Sequence, residues 1–226
     1  MINNLVELLK VTDNYYDYLK QRNFKFNKRG FPLFEKEMFL TEYPKMVVPY
    51  NQRNNRRVTN RKDVVLCTFS KDSLIYPRLK KIFEEIAEYK KYKGVIISDL
   101  TVTRDMDIEY QSLLMLINQL YGAILAANGI KIVMNARNGL PDTLKNFDNV
   151  PKDVMYASSR LGCSKQDAFD LTYIRKIIYL QPSRLILYGK HDFFVENYLD
   201  NIGFDFVCLP DFHTLCIEDN NLRRCA

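Results

Sequence analysis

The sequence predicts an α/β protein built on a mostly parallel sheet of about six strands with flanking helices. Three observations predict it. Short runs rich in Val, Ile and aromatic residues recur from Asp63 onward, and most are separated by longer amphipathic stretches. The first run, Val64-Val65-Leu66-Cys67-Thr68-Phe69, has the continuous β-branched and aromatic character of a strand buried on both faces. No Gly-x-Gly-x-x-Gly, P-loop or fixed-period repeat interrupts the alternation. Strands separated by helices imply parallel pairing through right-handed crossovers. An open doubly wound sheet and an incomplete, barrel-like one both satisfy the pattern. Eight βα units are not visible, which argues against a complete eight-fold barrel.

Residues 2–21 place Leu5, Leu8, Leu9, Tyr15, Tyr16 and Leu19 at helical spacing. Residues 24–39 are aromatic and basic and turn at Gly30 and Pro32. Residues 51–57, rich in Asn and Arg, read as an exposed loop. The expected strands are residues 64–69, 94–99, 130–135, 154–159, 184–189 and 204–209. Helices are expected over residues 71–91, over the charge-free stretch between Tyr110 and Ile130, briefly near 140–147, and over 193–201. Another opens at Ser164-Lys165-Gln166-Asp167, which resembles a capping box, and stops before Pro182. The expected divisions are an N-terminal helix and basic arm (1–62), an α/β core (63–212) and a C-terminal tail (213–226).

Composition bounds the reading further. At 226 residues, with 47% apolar and 27% charged residues, the chain can bury the core of one ordinary domain. Only 8 Gly and 8 Pro argue against long linkers. The net charge of +6 is matched by Lys45, Arg53, Arg56, Arg57, Arg61 and Lys62, which lie in a stretch without acids. A cationic segment on an otherwise neutral chain suits a phosphate-rich or acidic partner, and a solvated basic loop equally. Five cysteines without a C-x-x-C pair, and an opening Met1-Ile2-Asn3-Asn4 unlike a secretory leader, predict a reducing cytoplasm. Gln111, Ser112, Asn118 and Gln119 interrupt the charge-free helix. That predicts a helix buried by the sheet or by a partner subunit rather than a membrane span.

Ligands of parallel sheets bind beyond the carboxyl ends of the strands, where loops and helix N-termini converge. Those ends carry Asp99 with Arg104 and Asp105, then Asn135 with Arg137, then Ser158 with Arg160, then Lys190 with His191. Asp99 and Asp105 are candidates for acid–base work or for binding a divalent cation, with helix capping or pairing to Arg104 as their structural alternatives. His191 is a candidate general acid or base. Arg104, Asn135, Arg137, Ser158, Arg160 and Lys190 are candidates to hold a phosphate. Cys163, before a helix start, is a weaker candidate nucleophile. Asp211, His213 and Cys216 supply only three ligand types near the tail and are not read as a metal site.

Five short features, in this order, resemble the bacterial and phage family known as domain of unknown function 4417. They are Val48-Pro49-Tyr50-Asn51; Gly94-Val95-Ile96-Ile97-Ser98-Asp99-Leu100-Thr101 with Asp105-Met106; Gly129-Ile130-Lys131-Ile132-Val133-Met134-Asn135; Leu161-Gly162-Cys163; and Leu187-Tyr188-Gly189. Asp99, Asp105, Asn135, Gly162 and Tyr188 fall on its motif positions. Relatives often carry a Trp soon after the Asn of the third strand, where this chain has Arg137-Asn138-Gly139 and no Trp anywhere. The resemblance implies a phage, prophage or plasmid setting in a bacterial host and implies no reaction.

Three functions are therefore expected, in descending order. The first is nucleic-acid association through Arg53, Arg56, Arg57, Arg61 and Lys62 together with the polar rim. The second is an enzyme acting on a phosphorylated or nucleotide-like small molecule at that rim. The third is a host-protein-binding module or homo-oligomer using the helix between Tyr110 and Ile130.

Overall fold

The computed structural model describes residues 5–159 and 172–217. Its strands are β1 (Met46–Pro49), β2 (Val64–Cys67), β3 (Gly94–Ile96), β4 (Ile132–Asn135), β5 (Met155–Ser159), β6 (Arg184–Tyr188) and β7 (Phe206–Leu209). All pair in parallel, and they lie side by side in sequence order. The helices are α1 (Leu5–Lys20), α2 (Asp72–Tyr89), α3 (Ile108–Ala127), α4 (Thr172–Leu180) and α5 (Phe193–Asn201). A 3-10 helix, Pro141–Phe147, takes the place of the short helix expected there. The six expected strands all form. The seventh, β1, lies inside the segment expected as a basic arm, and it pairs Met46 with Val64 through Pro49 with Cys67.

Strand order decides between the two sheet forms. A doubly wound sheet reverses its order so that helices cover both faces. Here the order never reverses, so crossovers of one hand carry every helix to the same side. The twisted sheet then rolls around its other face into a nearly closed barrel.

Two apolar cores follow from the period-two alternation of strand side chains. One parity points inward: Val47, Val65, Cys67, Ile96, Val133, Met155, Ala157, Ile186 and Tyr188 pack together with Leu40 and Phe69. The other parity, including Val48, Leu66, Val95, Ile132, Met134, Tyr156 and Leu187, packs against the helices. Burial on both faces explains why β2, β3 and most of β4 are continuously apolar. Phe69, just beyond β2, stacks on Tyr188 of β6 with ring centroids 5.4 Å apart, a contact that spans the barrel interior. Between the edge strands β7 and β1, the Tyr43 hydroxyl donates to Asp205 Oδ1 at 2.9 Å. The Arg184 guanidinium lies 5.6 Å from the same tyrosine ring.

Helix α3 is held from within the chain, by α1, β4 and the 3-10 helix. The face expected as an alternative interface is therefore largely taken up internally, because its polar residues bond to this chain's own loops. Gln119 Nε2 donates to the Asn146 carbonyl at 2.7 Å, and Asn149 Nδ2 donates to Gln119 Oε1 at 2.7 Å. Gly122 lets α3 approach the sheet, since a Cβ there would lie 2.5 Å from Ile97 Cγ2. Among the described residues, no helix is long and apolar enough to cross a membrane.

Candidate functional site at the barrel mouth

The carboxyl ends of the strands form one rim, as parallel pairing requires. Asp99 follows β3, and Asn135 is the last residue of β4. Asn135 Nδ2 donates to Asp99 Oδ1 at 2.6 Å. Arg137 grips the same carboxylate with two donors, Nε on Oδ1 and Nη2 on Oδ2, the second at 3.0 Å. The Arg137 backbone N–H donates to Asn135 Oδ1 at 3.1 Å, which closes the group on itself. Arg137, two residues beyond the end of β4, thus supplies the counter-charge of Asp99.

The loop bearing Asp99 is fixed from behind by α3. Asn118 Oδ1 accepts from Ser98 Oγ at 2.7 Å and from the Leu100 N–H at 3.0 Å. Gln111 secures the opposite loop, donating to the Met106 carbonyl at 2.7 Å and accepting from the Leu140 N–H at 2.8 Å. Asp72 at the start of α2 accepts from Thr101 N–H and Oγ1, at 3.2 and 2.9 Å. A cavity of about 10 Å³, close to the size of one water, lies against Asn118, Gln119, Asn135 and Arg137. The polar residues that interrupt α3 are thus the ones that shape the mouth.

Electrostatically, Asp99 is 5% exposed. Burial raises its pKa, and the Arg137 guanidinium and the Asn135 amide offset only part of that rise, while Asp72 adds to it. Inside the barrel, burial also pushes the Cys67 thiol up, with Asp99 adding to the effect. Burial does the same to the Tyr188 hydroxyl, which accepts the Phe212 N–H at 3.0 Å. At the end of β2, Thr68 is buried and its hydroxyl has no partner among the described residues.

Not every candidate joins this group. Asp105 is exposed and is held below its ordinary value by a hydrogen bond from Thr103. The acid that raises Asp99 is Asp72, not Asp105, and the acid that caps α3 is Asp107, accepting from Glu109 N–H at 2.8 Å. Arg104 and Lys190 are exposed, and Ser158 is half-buried at the end of β5. Arg160, Gly162, Cys163 and the capping segment 164–167 lie outside the described residues. His191 is exposed and bonds through Nδ1 to Glu196 at 3.0 Å, away from the Asp99 group's own contacts. Asp211 accepts from the N–H groups of His213 and Thr214, as a turn cap does.

The basic segment has a different address. Arg53 lies over the Tyr50 ring and 3.8 Å from Glu88, and its carbonyl accepts from the Tyr92 hydroxyl. Arg61 lies over Tyr92, and Lys62 Nζ donates to the Lys90 carbonyl at 3.1 Å. Residues 88–92 close α2 and lead into the amino end of β3, so these contacts gather at the end of the strands opposite the mouth. Arg56 is exposed and Arg57 half-buried on the same crossover. Asn118, Asp72 and Phe69 were not singled out as site residues from the sequence; the only available signal was an Asn inside an otherwise apolar helix.

Fold and site together define a class: a parallel α/β protein, nearly closed as a barrel, with a buried carboxylate, amide and guanidinium at the carboxyl ends of its strands. Within that class the chain belongs to the family described as Domain of unknown function (DUF4417), whose model matches residues 29–206. The match takes in β1 through β6 and ends at Phe206, the first residue of β7. No curated protein and no solved structure matches the chain.

Proposed function

We propose that the protein is an enzyme acting on a phosphorylated or nucleotide-like small molecule at the barrel mouth, with Asp99 as its acid–base group. The observation that carries this reading is the Asp99–Arg137–Asn135 group. A buried carboxylate with a raised pKa at the carboxyl ends of parallel strands is where such folds place their chemistry. Arg137 keeps 24% of its side chain exposed. An incoming phosphate draws that guanidinium toward itself by bidentate pairing. Asp99 then loses its counter-charge and its pKa rises further, which strengthens the carboxylate as a proton acceptor. Arg104 and Lys190 on the rim add positive potential that attracts the anion.

A thermal-shift screen of nucleotides and sugar phosphates, with and without Mg²⁺, tests the proposal. A ligand of the native state raises the melting temperature. The expected result is a shift that Arg137→Ala abolishes and that Asp99→Asn leaves in place while turnover is lost. A screen in which no phosphorylated compound raises the melting temperature, or a shift untouched by both substitutions, overturns it.

A role in nucleic-acid association rests on the clustered charge of Arg53, Arg56, Arg57, Arg61 and Lys62. Arg53 and Arg61 are engaged with tyrosines and α2, and the cluster and the mouth face opposite strand ends, so one strand of nucleic acid gains little by touching both. This reading is favoured only if log affinity falls with log salt and the Arg56→Ala, Arg57→Ala double variant flattens the slope. The phage or mobile-element setting and a cytoplasmic location belong to the proposal as well. The latter is supported by the free thiols of Cys67, Cys208 and Cys216.

A further inference from the structure

We propose that His191, Glu196 and Cys208 form a binding site for a zinc-class divalent metal ion on the outer edge of the rim, between β6, α5 and β7. The candidate ligand atoms, one imidazole nitrogen, one carboxylate oxygen and one sulfur, all lie within 4.8 Å of one another. Tetrahedral zinc with bonds of roughly 2.0–2.3 Å separates its ligands by about 3.5 Å, so a small rotation of the exposed imidazole completes the set. Among the described residues this is the one group of three or more His, Cys, Asp or Glu side chains so arranged.

The elements fix the two inner ligands. Glu196 lies in the first turn of α5, where the Asp192 N–H donates to its Oε1 at 2.7 Å. Asp192 itself caps that helix, accepting from Phe194 and Val195 N–H at 3.0 and 3.1 Å. Backbone donors of this kind orient a ligating carboxylate from behind. Cys208 lies in β7 with its side chain on the helix-facing parity, toward α5. Its thiol donates to the Glu196 carboxylate. His191, in the β6–α5 connection, is 63% exposed and stacks on Phe193. The site therefore opens to solvent on the imidazole side, and three protein ligands leave a fourth position for water or substrate.

The mixed donor set selects the ion. A thiolate with an imidazole and a carboxylate suits zinc or cobalt, whereas magnesium and calcium take oxygen ligands. Burial and the Glu196 carboxylate push the Cys208 thiol up to about 12, so without metal it keeps its proton. On metal binding the metal–sulfur bond forms as that proton passes to solvent. The site is separate from the Asp99 group and does not depend on the reading of the mouth given above.

The test uses the full chain, stripped with a chelator and then titrated with Zn²⁺ against a chromophoric competitor and with Co²⁺ in a spectrophotometer. The expected result is one ion per chain and a near-ultraviolet thiolate-to-cobalt charge-transfer band. His191→Ala weakens zinc binding at least tenfold while circular dichroism shows the fold kept, since the side chain is exposed. Cys208→Ser removes the charge-transfer band. Failure to bind one equivalent, binding that survives both substitutions, or binding lost instead with His213→Ala and Cys216→Ser overturns the proposal.

Discussion

Asn118 shows how much one side chain settles at the mouth. It sits in an apolar helix, is 6% exposed, and holds both Ser98 Oγ and the Leu100 N–H. Replacing it with Ala leaves a buried backbone donor and a buried hydroxyl without their acceptor. The expected cost is about 1–3 kcal/mol in chemical denaturation, since unsatisfied buried groups lose their full desolvation energy. The same substitution releases the loop that presents Asp99, so any ligand-induced rise in melting temperature should shrink. A variant as stable as wild type would show that the loop is held by other contacts. At this scale the sequence disclosed the residue types of the rim but not their pairing. Asp99, Asn135 and Arg137 were legible as strand-end polar residues, whereas the partnership of Asp99 with Arg137 rather than Asp105 depends on where two loops happen to meet. Glu196 and Cys208 had no signal of their own, because a helical acid and a strand cysteine are ordinary until a fold sets them side by side.

Among the elements, α3 and β1 are the instructive pair. The charge-free run that α3 carries from Tyr110 onward implied burial, and burial is what the fold provides, with Gly122 set against Ile97. A methyl at Gly122 would meet Ile97 Cγ2 at 2.5 Å and Ile97 Cβ at 3.3 Å, and a β-branched side chain cannot swing away freely. Gly122→Ala should therefore destabilise by about 1–2 kcal/mol, overpacking outweighing the gain in helix propensity. Differential scanning calorimetry should show a lowered melting temperature, and a raised one would mean that α3 can shift outward at no cost. Strand β1 escaped the sequence reading because it is four residues long, ends in Pro49 and adjoins a cationic loop. Its identity comes from pairing with β2, and as an edge strand it tolerates the proline that a central strand would not.

For the whole molecule, Tyr43, Arg184 and Asp205 tie the two edges of the sheet together. Arg184 first, and then Tyr43, hold the Asp205 carboxyl below its ordinary value. A carboxyl depressed by folding contributes stability above its unfolded pKa of about 3.9 and loses it as pH falls through the folded value. Asp205→Asn should thus be less stable than wild type near neutrality, by under about 1 kcal/mol because the pair is exposed, and the gap should close in acid. Denaturation curves at neutral pH and below pH ~3 check this, and a gap independent of pH would remove the ionic seam from the account. Strand identity, parallel direction and the polar character of the strand ends were determined by the sequence alone, because burial on both faces and helical periodicity are local patterns that a linear chain displays. Closure of the sheet, the seventh strand, the separation of the basic segment from the mouth and the partners of each polar side chain were decided only by the tertiary structure. These depend on contacts between residues far apart in the chain, such as Phe69 with Tyr188 and Tyr43 with Asp205, and no local pattern encodes such distances.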